Sequence, residues 1–304
     1  MPSLPRTVIS NCTTRKAAGH AISLGEVSHK GGALATADRW MSLVRRTPMR
    51  HTASELYKGR SIRDAASVAT ALQGRLFVVS AGLGLVAADD HVPNYNLTVT
   101  PGSILAEMLA SQGLGVHEWW GALTKTASSP LSRLATHSSI FLALPATYLR
   151  LVREDLASIP PTARKRVWIF TSEAGRAEVP DLVASCVMPY DDRLETVSGF
   201  DGTRADFPQR ALRHFVERLR GHELSAADGR NAVVASLSSQ LRRQLPQRIR
   251  MSDDDIRTLI RARWEACAGS SARLLRYLRD DAKVSCEQGR FRVLWQSLKT
   301  EMDN

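Results

Sequence analysis

Cysteine is scarce, and the four present, Cys12, Cys186, Cys267 and Cys286, nowhere approach a C-x-x-C spacing. In a chain of 304 residues that pattern excludes a disulfide framework and a thiolate zinc site, and it suits a reduced, cytoplasmic setting. Long apolar runs are missing as well. No stretch reaches the ~20 residues that cross a bilayer, and the N-terminus lacks a basic segment followed by the apolar core of an export signal. Acidic residues do not recur at metal-ligand spacings, so neither a metal nor a cofactor is expected, which argues against a metal-dependent nuclease. Internal repeats and low-complexity segments are also absent.

What the chain has in excess is positive charge. Hydrophobic content of 43% and charged content of 23% are ordinary for a globular protein. A net charge of +11 is not. Such an excess favours a polyanionic partner, because phosphate contacts release counterions. The expected partner is double-stranded DNA, with no membrane and no obligate protein partner.

Hydrophobic patterning predicts four buried strands: Arg6–Cys12, Arg75–Ala81, Ser138–Pro145 and Arg166–Ser172. Leu182–Tyr190 is a further candidate, and its Pro189 marks it as an edge or an ending. Helical patterns alternate with them at Ser61–Leu72, at Ser103–Leu123 (broken near Gly113) and at Tyr148–Leu156. Thr13–Gly32 reads as a polar loop. Apolar strands separated by helices predict an α/β fold, a parallel sheet flanked by helices. Residues 1–205 form the α/β domain in this reading. Residues 206–304 form a helical, basic region with helices at Phe207–Arg220, Ala226–Leu245, a run capped by Ser252, and two more after Gly269.

In a parallel sheet, ligands bind beyond the carboxyl ends of the strands. Those ends carry Asn11–Lys16, Ser80–Asp90, Pro145–Tyr148 and Ser172–Arg176. The Asn11 amide can donate and accept, which suits reading a base edge. Cys12, Ser80 and Gly82 border the same hollow, and Tyr95 could stack on an extruded base or plug the core. Asp89 and Asp90 could support an oxocarbenium-like centre and position water, or merely cap a turn. Asp192 is a third candidate acid. Lys16 could hold a phosphate. Arg204 and Arg210 belong to a charged run that is either an ion-pair network or a DNA-facing wall. In the C-terminal region, Leu274, Leu275, Leu278, Phe291, Leu294 and Trp295 would face inward. Arg242, Arg243, Arg273, Arg276 and Arg290 would then face phosphates, giving the proportions of a helix-turn-helix.

The runs ISNCTTRK and SAGLGLVAADDHVPNYNL resemble segments of YaaA-type peroxide-stress proteins and of the archaeosine synthase uracil-DNA-glycosylase-like domain. The architecture is most similar to Brig-type anti-phage DNA glycosylases. That resemblance implies a uracil-DNA-glycosylase-like fold and excision of a modified base, such as glucosylated hydroxymethylcytosine, from phage DNA. It also aligns Asp90 with the group's acidic residue and Tyr95 with its tyrosine. The chain departs from true uracil-DNA glycosylases: the loop after the first strand has no carboxylate, and no histidine loop follows the last. The alternatives are a non-catalytic DNA-binding defence protein and an enzyme of tRNA deazaguanine modification.

Overall fold

The computed structural model describes residues 4–127, 131–242 and 248–302. Five strands build the central sheet: β1 (Arg6–Asn11), β2 (Arg75–Ser80), β3 (Gly84–Ala87), β4 (Ser139–Ala143) and β5 (Val167–Phe170). Their order is β3-β2-β1-β4-β5. Every neighbouring pair is parallel except β2 with β3. The sheet is therefore mixed but mostly parallel, with helices on both faces.

Alternation along the strands explains the layering. Ile9, Ile140, Leu142 and Ile169 point into one core, together with Trp40 and Met41 of α1 (Gly32–Arg46) and Trp119 of α3 (Val116–Ala127). Their neighbours Val8, Phe141, Trp168 and Phe170 point into the other core. There they meet Ala65 and Val68 of α2 (Arg60–Ala71) and Ala211 and Leu212 of α4 (Phe207–Arg213). With successive side chains on opposite faces and both faces covered, the strands read as continuous apolar runs.

The sequence patterns located β1, β2, β4 and β5 to within two residues at each end. They missed α1, which begins at Gly32 where the polar span Thr13–Gly32 ends, and they missed β3. Leu182–Tyr190 is a short helix, Asp181–Ala184, followed by a single parallel bridge from Val187 to Ile169.

Contacts divide the chain into two units, Met1–Arg242 and Arg243–Asn304. The boundary expected at 205/206 is corrected to 242/243. Helix α4 packs on α2, β4 and β5, because Phe207, Ala211, Leu212 and Phe215 bury their side chains in the second core. Its arginines suggested a surface, but its apolar residues fix its place.

The second unit gathers α5 (Asp253–Ala262), α6 (Ser271–Arg276) and α7 (Gln288–Met302) around Ile256, Ile260, Leu274, Leu278, Phe291, Leu294 and Leu298. Ser252 and Asp255 form a reciprocal capping box at the start of α5, satisfying two orphan donors. Among the described residues, no helix is long and apolar enough to cross a membrane.

Candidate functional site at the strand ends

Chain order around the sheet sets where a ligand can enter. From β1 the chain moves outward through β2 and β3, then returns across β1 to add β4 and β5. Connections leaving β1 and β4 therefore diverge, so the crevice position that ligands usually take in open α/β sheets falls between their carboxyl ends. Two side chains bridge that crevice. Cys12, immediately after β1, places its Sγ 2.9 Å from the hydroxyl of Tyr148, which follows β4. On the helical face beneath, the Gln209 amide nitrogen lies 2.9 Å from Ser10 Oγ, Asn11 Oδ1 and the Ala143 carbonyl, tying the two strand ends together.

Beside Cys12 stands a second cluster. The Ser80 hydroxyl accepts from the backbone N–H of Leu83 and lies 2.7 Å from the Tyr95 hydroxyl, which lies 2.9 Å from that of Tyr57. Tyr95 reaches this position because Tyr95–Asn96 pairs with Ile22–Ser23. Backbone pairing of Lys16 with Tyr57 then sets the half-buried Lys16 ammonium 4.3 Å from the centre of the Tyr95 ring. Burial pushes the phenols of Tyr57, Tyr95 and Tyr148 above the ordinary tyrosine range, so they act as neutral hydrogen-bonding groups. Burial also lowers the proton affinity of Lys16.

No protein-family model, curated protein or solved structure matches the chain. The side chains gathered at the crevice position are a thiol, an amine of lowered basicity and neutral phenols. Among the described residues, no group of three or more His, Cys, Asp or Glu side chains is placed to hold a metal.

The structure separates the residues nominated from sequence. Asn11, Cys12, Ser80, Gly82, Tyr95 and Lys16 come together. Asp89 and Asp90 do not. Strand β3 runs antiparallel to β2, with Phe77 opposite Ala87, and so carries the following aspartates back to the amino end of the sheet. There Asp89 pairs at 3.6 Å with Arg75, the first residue of β2, and Asp90 caps its turn by accepting from the Ala87 N–H at 2.7 Å. Both are exposed. The turn reading of these two residues is the correct one, and a catalytic role at the crevice is overturned. Asp192 follows the segment beyond β5, the far edge from β2, and pairs with the exposed Arg242 at 3.6 Å.

Two further assignments change. The Asn11 amide donates to the Cys12 carbonyl and accepts from Gln209, so it shapes the strand end and is not free to read a base. Tyr95 is fully buried, with its hydroxyl already engaged, and plugs the core in place of stacking on a ligand. Arg210 is also fully buried. It bonds Asp206, Glu195 and the carbonyls of Phe200 and Thr203, which makes the charged run a structural network and removes Arg210 from any DNA contact. Arg204 is exposed.

Sequence reasoning did not single out Tyr57, Tyr148 or Gln209. Tyr148 alone carried a signal, its position just past a strand end. Tyr57 and Gln209 sit in helical or polar runs and reach the site through long-range packing.

Gly82 is required by close packing. A Cβ there would stand 2.8 Å and 2.9 Å from two carbons of the Tyr95 ring. The ring cannot retreat, because Trp40 packs edge-on against it and donates to the Gly82 carbonyl. Gly82→Ala is expected to cost about 1–3 kcal/mol of stability, the usual penalty for overpacking. A denaturant midpoint unchanged from wild type would show that the ring yields freely.

In the second unit, Arg248, Arg276, Arg279 and Arg292 line an open cleft of about 720 Å³ beside Phe291 and Trp295. Arg248 pairs with Asp280 and Arg279 bonds the Cys286 carbonyl, whereas Arg276 and Arg292 are exposed. Arg273 is exposed too. Arg290 is instead committed to Asp253 and the Met251 carbonyl, bracing α7 against the start of α5. Arg243 lies outside the described residues.

Proposed function

We propose that this chain is a DNA glycosylase with a uracil-DNA-glycosylase-like α/β unit and a helix-turn-helix-like C-terminal unit. The target nucleotide is flipped out of the duplex, and its sugar–base linkage is broken in the crevice between β1 and β4. The observation that carries this reading is the convergence of Lys16, Cys12 and Tyr148 at the topological switch point of the sheet. A net charge of +11 supports a polyanionic partner, and the exposed Arg273, Arg276 and Arg292 of the C-terminal unit supply phosphate contacts. The Brig-type resemblance adds the substrate class, a bulky modified base in phage DNA.

The test is base release. Incubation with DNA carrying glucosylated hydroxymethylcytosine is expected to produce abasic sites, read as strand breaks after alkaline heating, with little from unmodified DNA. Abasic sites in neither substrate would overturn the enzymatic reading. A second reading, a DNA-binding protein without catalysis, is favoured by one observation: all three nominated aspartates serve turns or surface ion pairs. It expects salt-dependent duplex binding and no base release.

A further inference from the structure

We infer that the Lys16 amine is the nucleophile of this crevice, and that it forms a covalent imine with the C1′ carbon of a deoxyribose. The inference rests on the proposed base-excision chemistry and names its attacking group, since the aspartates are elsewhere. Lysine is scarce in this arginine-rich chain. Lys16 is the one that backbone pairing to Tyr57 fixes at the strand ends, with its ammonium 4.3 Å from the Tyr95 ring centre and 6.0 Å from that of Tyr57. The described salt bridges give it no carboxylate partner.

Such an environment suits an amine that must shed its proton. Burial lowers the amine's proton affinity and outweighs the opposing influence of Cys12, while the Tyr95 and Tyr57 rings lie beside it. An unprotonated amine has the lone pair that attack requires. Arginine at the same position would hold an anion equally well but could not perform this step.

The step balances without a cofactor. The amine lone pair attacks C1′, and the bond to the base breaks, with the base leaving on its electron pair and taking up a proton. The sugar ring then opens as its oxygen departs from C1′ with a proton, leaving a protonated imine between Nζ and C1′. Water hydrolyses the imine to an abasic site and regenerates the amine. Loss of a C2′ proton before hydrolysis expels the 3′ phosphate and nicks the strand, so the enzyme would also carry lyase activity.

A preformed abasic strand enters this scheme after base loss, where its open-chain aldehyde condenses with the amine and releases water. The experiment is therefore incubation of the full chain with abasic duplex DNA and sodium borohydride, which reduces the imine to a stable secondary amine. The expected result is a covalent protein–DNA adduct that peptide mass mapping places on Lys16. Loss of the adduct in Lys16→Arg, with retention in Lys58→Arg at a nearby exposed lysine, is expected alongside. No adduct, or an adduct on another amine, overturns the proposal. Mapping on the wild-type chain decides the matter even if a variant folds poorly. Base release without trapping would sink the lysine and leave the glycosylase reading standing; trapping on Lys16 without base release would do the reverse.

Discussion

Arg210→Met should lower the unfolding free energy by about 3–5 kcal/mol, the range for breaking a buried ion pair from one side. The guanidinium is fully buried and holds two carboxylates, Asp206 at 2.9 Å and Glu195 at 2.8 Å, while also donating to the carbonyls of Phe200 and Thr203. Methionine replaces its volume and none of its donors. Two carboxylates then remain in a confined, poorly hydrated corner without a counter-charge, and two backbone carbonyls lose their partners. The loss therefore comes chiefly from what is left behind. The combined variant Arg210→Met, Glu195→Gln, Asp206→Asn should recover part of it, because neutral amides cost less to bury. Chemical denaturation checks both, and a change below about 1 kcal/mol in the single variant would show the carboxylates are well solvated.

Acidification below pH 6.5 should destabilise the first unit through one buried histidine. His214 is buried, with Nδ1 2.9 Å from the Tyr190 hydroxyl and the Phe200 ring set edge-on to its own. Burial, assisted by the positive charge of Arg218, lowers its pKa from 6.5 to about 4. The unfolded chain thus binds a proton below pH 6.5 that the folded chain refuses. Stability is at its full value above pH 6.5, falls as pH drops toward 4, and the contribution levels off below that. Integrated over the window, the loss amounts to up to about 3 kcal/mol. His214→Phe should flatten this segment of the stability–pH curve, whatever it does to the absolute value. An equal slope in variant and wild type between pH 6.5 and 4 would assign the acid sensitivity to other groups.

Both predictions concern α4 and the turn that follows it, where sequence patterns were read least completely. Arg210 and His214 share a helical face at a spacing that fits an ion-pair network first and a DNA-facing wall as the alternative. Arginine is amphipathic, and its stem and head can be enclosed wherever acceptors surround it. Nothing local announces that Glu195, fifteen residues away, and the Phe200 carbonyl will do so. Buried strands, by contrast, declare themselves, because Val8–Ile9, Phe77–Val79, Ile140–Leu142 and Trp168–Phe170 are apolar on both faces, as a covered parallel sheet requires.

The run that follows β2 shows the same division on a smaller scale. In SAGLGLVAADD the glycines signal a break in the chain but not its direction. Gly84 adopts φ +77°, which closes a three-residue hairpin loop and sends the chain back along β2. That reversal carries Asp89 and Asp90 to the opposite end of the sheet. Tyr95 returns to the carboxyl ends only because Ile22–Ser23 offers it a strand to pair with, some seventy residues earlier.

By itself the sequence determined four of the five strands, part of the helical flanks, the excess of positive charge and the absence of a disulfide or thiolate-metal framework, because composition and periodicity are local properties. Tertiary structure alone decided which polar residues share the crevice and which carboxylates leave it. It also placed Arg210 inside and brought Lys16, Cys12 and Tyr148 together. Those outcomes depend on strand direction and on partners far apart along the chain, and a local pattern carries neither.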